Sequence, residues 1–120
     1  MGFADDFTNC ITGKNLPPQL ATLMPDPKTA LAFASQLIKG ATVEEALLAI
    51  GVGAEIAAEV AAAVAALTVG FIVGAVVGCA VNAASGTLGA LIAEMDPSDK
   101  SALQEPLADA GFSTTDAAVA

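Results

Sequence analysis

Through the first half of this sequence, apolar residues recur at helical spacing. In DPKTALAFASQLIKG, Leu31, Ala34, Leu37 and Ile38 fall on one face, the pattern of an amphipathic helix that packs on something. Its ends are marked: Asp26 caps, Pro27 takes the first helical position, Lys39 suits the negative end and Gly40 stops it. ATVEEALLAIG repeats the design. Thr42 and Glu45 form a capping box, and Leu47, Leu48 and Ile50 make the apolar side. Gly51 and Gly53 then predict a bend. Before these helices, residues 1–26 read as irregular or only briefly helical, punctuated by Gly13, Pro17, Pro18 and Pro25.

From Ala54 the periodicity gives way to a run that is apolar all round. No charged side chain stands between Glu59 and Glu94, and from Val60 to Val81 only Thr68 is clearly polar. The alanines favour helix, so a central helix is expected over residues 54–81. As a helix, Val60 to Val81 would be about 33 Å long, against a hydrocarbon thickness of roughly 30 Å. NAASG at 82–86 breaks the run before TLGALIAEM. Asp96 and Pro97 then repeat the cap-then-proline start, and Pro106 is expected to close that short helix. No alternation strong enough for a strand competes. The expected fold is therefore all-α: a single small domain with a long apolar Ala/Gly-rich central helix covered by shorter amphipathic helices. Its parts are an irregular N-terminal segment (1–26), amphipathic helices (27–50), an apolar helical segment (54–93) and an acidic C-terminal segment (94–120).

Within the apolar run, Gly70, Gly74 and Gly78 are four residues apart, and Asn82 and Gly86 extend the line. They form a smooth stripe if the helix continues. Three glycines inside a helix cost roughly 3 kcal/mol relative to alanine, so something must offset them. Close approach of another backbone does so, by the small-xxx-small logic of membrane helix pairs, and Asn82 would hydrogen-bond across such a seam. A central helix in a water-soluble bundle is the plainer explanation, since full burial also gives an all-round apolar helix.

Composition narrows the chemistry. The 120 residues are 55% hydrophobic and only 14% charged, yet the net charge is −9. Such a chain is too apolar to be disordered throughout. With four lysines, no arginine and no basic cluster, nucleic acid is not an expected partner. The absence of His, Tyr and Arg removes the commonest general bases and phosphate ligands, so no enzymatic activity and no cofactor are expected. The acid pairs Asp5/Asp6 and Glu44/Glu45 sit where helix starts or a terminus explain them. Asp96 and Asp99 make a weak calcium or magnesium signal, again better read as capping, and no metal site is assigned. Cys10 and Cys79 are too few and too far apart in sequence for a zinc knuckle. They form either one disulfide or two thiols that never meet, and the second is the plainer expectation because Cys79 resembles a small core residue.

The block from Gly51 to Met95 resembles the hydrophobic hairpin of colicin-type pore-forming toxins, an uncharged Ala/Gly/Val/Ile segment hidden by amphipathic helices. The small size, and an N-terminus (MGFADDFTNC) without the basic and apolar regions of a secretory signal, are similar to cargo effectors of contractile, type VI-like secretion systems, some of them glycine-zipper pore formers. That resemblance implies a bacterial toxin, held in the producer cytoplasm and exported without a cleaved leader. It would insert into a competitor's membrane as a homo-oligomer and depolarise it, with an immunity protein or a secretion chaperone at home. The lipid bilayer is then the main partner. Thirty-four uncharged positions divided into two spans are at the short limit, so a single spanning helix sealed through Gly70, Gly74 and Gly78 fits better than a hairpin. Glu55 and Glu59 would act as a pH gate, resisting lipid as carboxylates and entering once protonated. Against an ordinary integral membrane protein stand the acidic flanks and the lack of Trp or Tyr belts. The alternative is a cytoplasmic structural subunit or interaction module, of filament or coat type, that uses the stripe for close helix packing in water.

Overall fold

The computed structural model describes residues 2–84 and 88–109, which form eight helices with no strand among them. The helices are α1 (Phe3–Gly13), α2 (Pro18–Thr22), α3 (Pro27–Ile38), α4 (Val43–Ala49), α5 (Ala54–Ala63), α6 (Val69–Ala84), α7 (Leu88–Ala93) and α8 (Pro97–Asp109). The all-α expectation holds. Gly86 lies outside the described residues, as does the tail beyond Asp109.

The capping signals read from the sequence operate as expected. Asp26 Oδ1 accepts from the Thr29 backbone N–H at 2.8 Å. Thr42 Oγ1 accepts from Glu45 N while Glu45 Oε1 accepts from Thr42 N, a complete capping box. Gly40 and Gly51 take positive φ angles of 106° and 97°, a region that side chains with a Cβ rarely enter. There the chain reverses after α3 and after α4.

Three expectations need correction. The segment before Pro27 is not irregular: Phe7 and Ile11 of α1 and Leu20 and Ala21 of α2 are buried. Prolines 17 and 18 start α2 rather than break a helix, with Pro18 at its first position. Second, the long central helix is two helices. α5 ends at Val64, whose backbone leaves the helical region, and Thr68 opens α6 by accepting the Phe71 N–H on its hydroxyl. The one polar side chain in the apolar run is thus a helix cap, which is where a threonine is favoured. Third, Pro106 does not end its helix but sits inside α8. At 16 residues, α6 is about 24 Å long. Among the described residues no helix is long and apolar enough to cross a membrane.

α6 is the hub. It packs on α1, α3 and α8, and Ile72, Val76, Val77, Cys79 and Ala80 are essentially removed from water. From the other side Phe7, Leu31, Phe33 and Leu103 close the core. Two predicted apolar faces are narrower than expected, because Ile38 and Leu48 remain exposed at 37% and 44%. The radius of gyration is 13.2 Å, about that of any compact chain of this length.

Cys10 and Cys79 are joined as a disulfide, with Cα atoms 5.6 Å apart across 69 residues of sequence. The two thiols do meet, contrary to the plainer expectation, because α1 folds onto α6 and buries Cys79 completely. Closing a loop of this length removes unfolded-state entropy worth about 4 kcal/mol, a large share of the 5–15 kcal/mol that stabilises an ordinary domain. Reduction, or Cys10→Ser, should therefore lower the unfolding free energy by about 4 kcal/mol in urea titrations followed by circular dichroism. A loss below about 1 kcal/mol would mean that the α1–α6 packing alone carries the join.

Candidate functional site

The stripe expected over Gly70–Gly86 is real as far as it is described. Gly70 and Gly74 are exposed, Gly78 is half-buried and Asn82 is exposed. A Cβ built on Gly70, Gly74 or Gly78 would meet nothing within 4 Å. The glycines were expected to let a neighbouring helix come close. Among the described residues no helix packs against them. α6 turns Ile72, Val76, Val77 and Ala80 inward and Gly70 and Gly74 outward, with Val69 and Phe71 also exposed, so among the described residues the packing with α1, α3 and α8 leaves the Gly70–Gly74 end uncovered.

Gly70 and Gly74 form the floor of an open groove of about 440 Å³. Val69 and Val73 continue the floor along α6, and Leu37 and Ile38 at the end of α3 make one wall. α8 makes the other, with Ala102 and Pro106 half-buried and Glu105 and Asp109 exposed. Val69, 45% exposed, together with Ile38 explains the apolar character at one end. A second, smaller depression of about 350 Å³ lies beyond Val69, between α4, α5 and the start of α6.

The two walls are tied below the groove by a polar clasp that sequence reasoning missed. Ser35, fully buried on the apolar face of α3, donates from Oγ to Asp99 Oδ1 at 2.7 Å. Lys39 donates to the same carboxylate oxygen and to Ser98 Oγ at 3.2 Å. The available signal was the serine itself, a lone polar residue on an apolar stripe, which must find a partner when buried. The hydrogen bond from Lys39, then that from Ser35, holds the Asp99 carboxyl below the usual carboxylate range, while partial burial opposes them. Asp99 is thus committed to the clasp. No group of three or more acids or cysteines placed to hold a metal occurs among the described residues.

Glu55 and Glu59 lie exposed on α5, away from the groove lining. The structure does not bring them to the glycine stripe. The remaining site residue, Asn82, is exposed two turns beyond Gly74 and is not among the groove residues.

Chemically the groove offers shape and apolar area, with two negative charges on one edge. The titratable groups in its lining are the carboxylates of Glu105 and Asp109. No family model, curated protein or solved structure matches this chain.

The clasp makes a pH prediction. A carboxyl whose pKa is depressed by folding stabilises the native state above the unfolded value, near 3.9, and that contribution is lost as pH falls through the folded value. Stability should therefore drop below about pH 4, and Asp99→Asn should flatten that part of the profile. After discounting for the partial exposure of Lys39 (37%), the clasp carries roughly 1 kcal/mol at neutral pH. An unchanged slope in Asp99→Asn, measured by urea unfolding from pH 2 to 6, would remove Asp99 from the acid response.

Proposed function

We propose that this protein is a helix-docking interaction module, taking a helix of a partner protein onto the notched side of α6 in water. One observation carries the reading. Gly70, Gly74 and Gly78 weaken α6 by roughly 3 kcal/mol relative to alanine, and no packing among the described residues offsets that, because a Cβ on any of the three would meet nothing within 4 Å. The compensation then lies with something that binds. A groove floored by glycine and lined by aliphatic side chains suits the close approach of a partner helix, where dispersion contact is greatest. The Cys10–Cys79 disulfide favours work in an oxidising compartment, where such bonds persist.

The corresponding test separates the two uses of the glycines. Each of Gly70→Ala, Gly74→Ala and Gly78→Ala should raise the unfolding free energy by about 0.5–1 kcal/mol, since the new methyl meets no neighbour and alanine is the better helix former. The same substitutions should weaken docking, a stability–function conflict typical of binding surfaces. Destabilisation by all three would show that the fold itself needs the glycines, and the reading would fail.

Membrane insertion with pore formation is a second reading, favoured by a different observation. The longest helix, α6, carries no charge and packs under α1, α3 and α8, the arrangement expected of a segment released on contact with lipid. For this, α5 and α6 must merge across residues 64–68 to reach a spanning length, with Glu55 and Glu59 gating entry. The Cys10–Cys79 bond ties α6 to one cover, so insertion would also need reduction. Dye release from vesicles should accordingly appear only after treatment with a dithiol, and Gly74→Ile should abolish it. Absence of leakage from both neutral and anionic vesicles, oxidised or reduced, would eliminate this reading.

A further inference from the structure

The edge of the groove carries chemistry that its floor does not. Glu105 and Asp109 stand one turn apart on α8, both exposed and both lining the groove. Neither is paired with a lysine among the described residues. The nearest cation along α3, Lys39, is held by Asp99 and is not part of the lining. Pro106 adds a third acceptor. It lies within α8 and has no N–H, so the Ala102 carbonyl lacks its α-helical donor. Ala102 and Pro106 both belong to the groove wall. The α8 wall therefore carries two exposed carboxylates and, within its helix, a carbonyl without its α-helical donor, and Leu37 and Ile38 of α3 line the same groove.

We propose that the occupant of this groove is a cationic amphipathic helix of a partner protein. Its aliphatic stripe would lie on Gly70 and Gly74, and Lys or Arg side chains one turn apart would meet Glu105 and Asp109. The proposal rests on the docking reading and adds the partner's charge to it. The spacing fits, since residues four apart on a helix project together, so a pair of cations on the incoming helix matches the pair of acids. A long cationic side chain also supplies N–H donors for the Ala102 carbonyl while its aliphatic stem covers Pro106. A second copy of this chain is a poor occupant. With a net charge of −9 and four lysines, it would bring acid to acid, a costly juxtaposition at an interface. An anionic lipid surface is repelled for the same reason.

The test uses the full-length oxidised protein and three synthetic helical peptides of about fourteen residues, or four turns. All carry the same leucine stripe; the polar face is lysine in one, glutamate in the second and glutamine in the third. Binding is measured calorimetrically at about 0.15 M salt, where distant charges are screened, and is located by amide chemical-shift changes. The lysine peptide should bind, shifting Gly70, Gly74 and the end of α8. Glu105→Gln with Asp109→Asn should weaken it by about tenfold or more, as should Gly74→Leu, which fills the floor. Glu55→Gln with Glu59→Gln, an equal loss of charge on α5, should change affinity by less than about twofold. Equal weakening by the two acid pairs would mean bulk attraction to an acidic protein and would overturn the proposal. If the glutamine peptide binds as tightly, and only Gly74→Leu weakens it, the cationic partner falls while helix docking stands. If none of the peptides perturbs the groove, both fall together.

Discussion

One-sided burial of α6 is the constraint on which the remaining structure hangs. A helix this apolar cannot stand in water, so α1, α3 and α8 must gather on it. The side they choose is the side with side chains. Val76, Val77, Cys79 and Ala80 offer area to bury, whereas glycines offer none, and each buried methylene is worth about 0.8 kcal/mol. The same energetic rule that builds the core therefore leaves the glycine stripe facing out. The open groove is what remains after the core has formed.

Two long-range ties make that arrangement specific. The Cys10–Cys79 bond joins the first helix to the hub across most of the chain, and the Ser35–Lys39–Asp99 clasp joins α3 to α8. Both act on the walls around α6 rather than on α6's open side. The clasp sets the separation of the two groove walls, because Leu37 and Ile38 follow Ser35 on α3 while Ala102 and Glu105 follow Asp99 on α8. A polar contact that looks like mere core satisfaction thus shapes the surface where binding is proposed. The carboxylates are divided between these jobs: Asp99 meets a lysine and a serine, whereas Glu105 and Asp109 are exposed and pair with no lysine among the described residues.

The docking and insertion readings make opposite demands on these ties. Docking needs the walls kept in place, so disulfide and clasp both serve it. Insertion needs α6 freed from α1, α3 and α8 and extended into α5, so both ties oppose it. The structure in its oxidised form requires no rearrangement to present Gly70 and Gly74 to a partner, which is why docking is the more economical reading.

Much of the local grammar was legible in the residues, although Pro17, Pro18, Thr68 and Pro106 took other roles than expected. The caps at Asp26 and Thr42, the stops at Gly40 and Gly51 and the helical character of residues 27–84 all follow from interactions within a few positions of one another. The glycine spacing likewise put Gly70, Gly74 and Gly78 on one side of a helix. Which side of α6 would be covered was not legible, since close backbone approach would bury the glycine side and side-chain burial the opposite one, and the same spacing serves both. The break at residues 64–68 was hidden because alanine-rich sequence favours continuing the helix, and only the need to fold α5 back against α4 makes the interruption worthwhile. Cys10 meeting Cys79, Ser35 meeting Asp99, and Glu105 with Asp109 edging a groove floored by α6 are contacts between residues far apart in the chain. Such contacts are set by how helices pack, and no short-range preference encodes them.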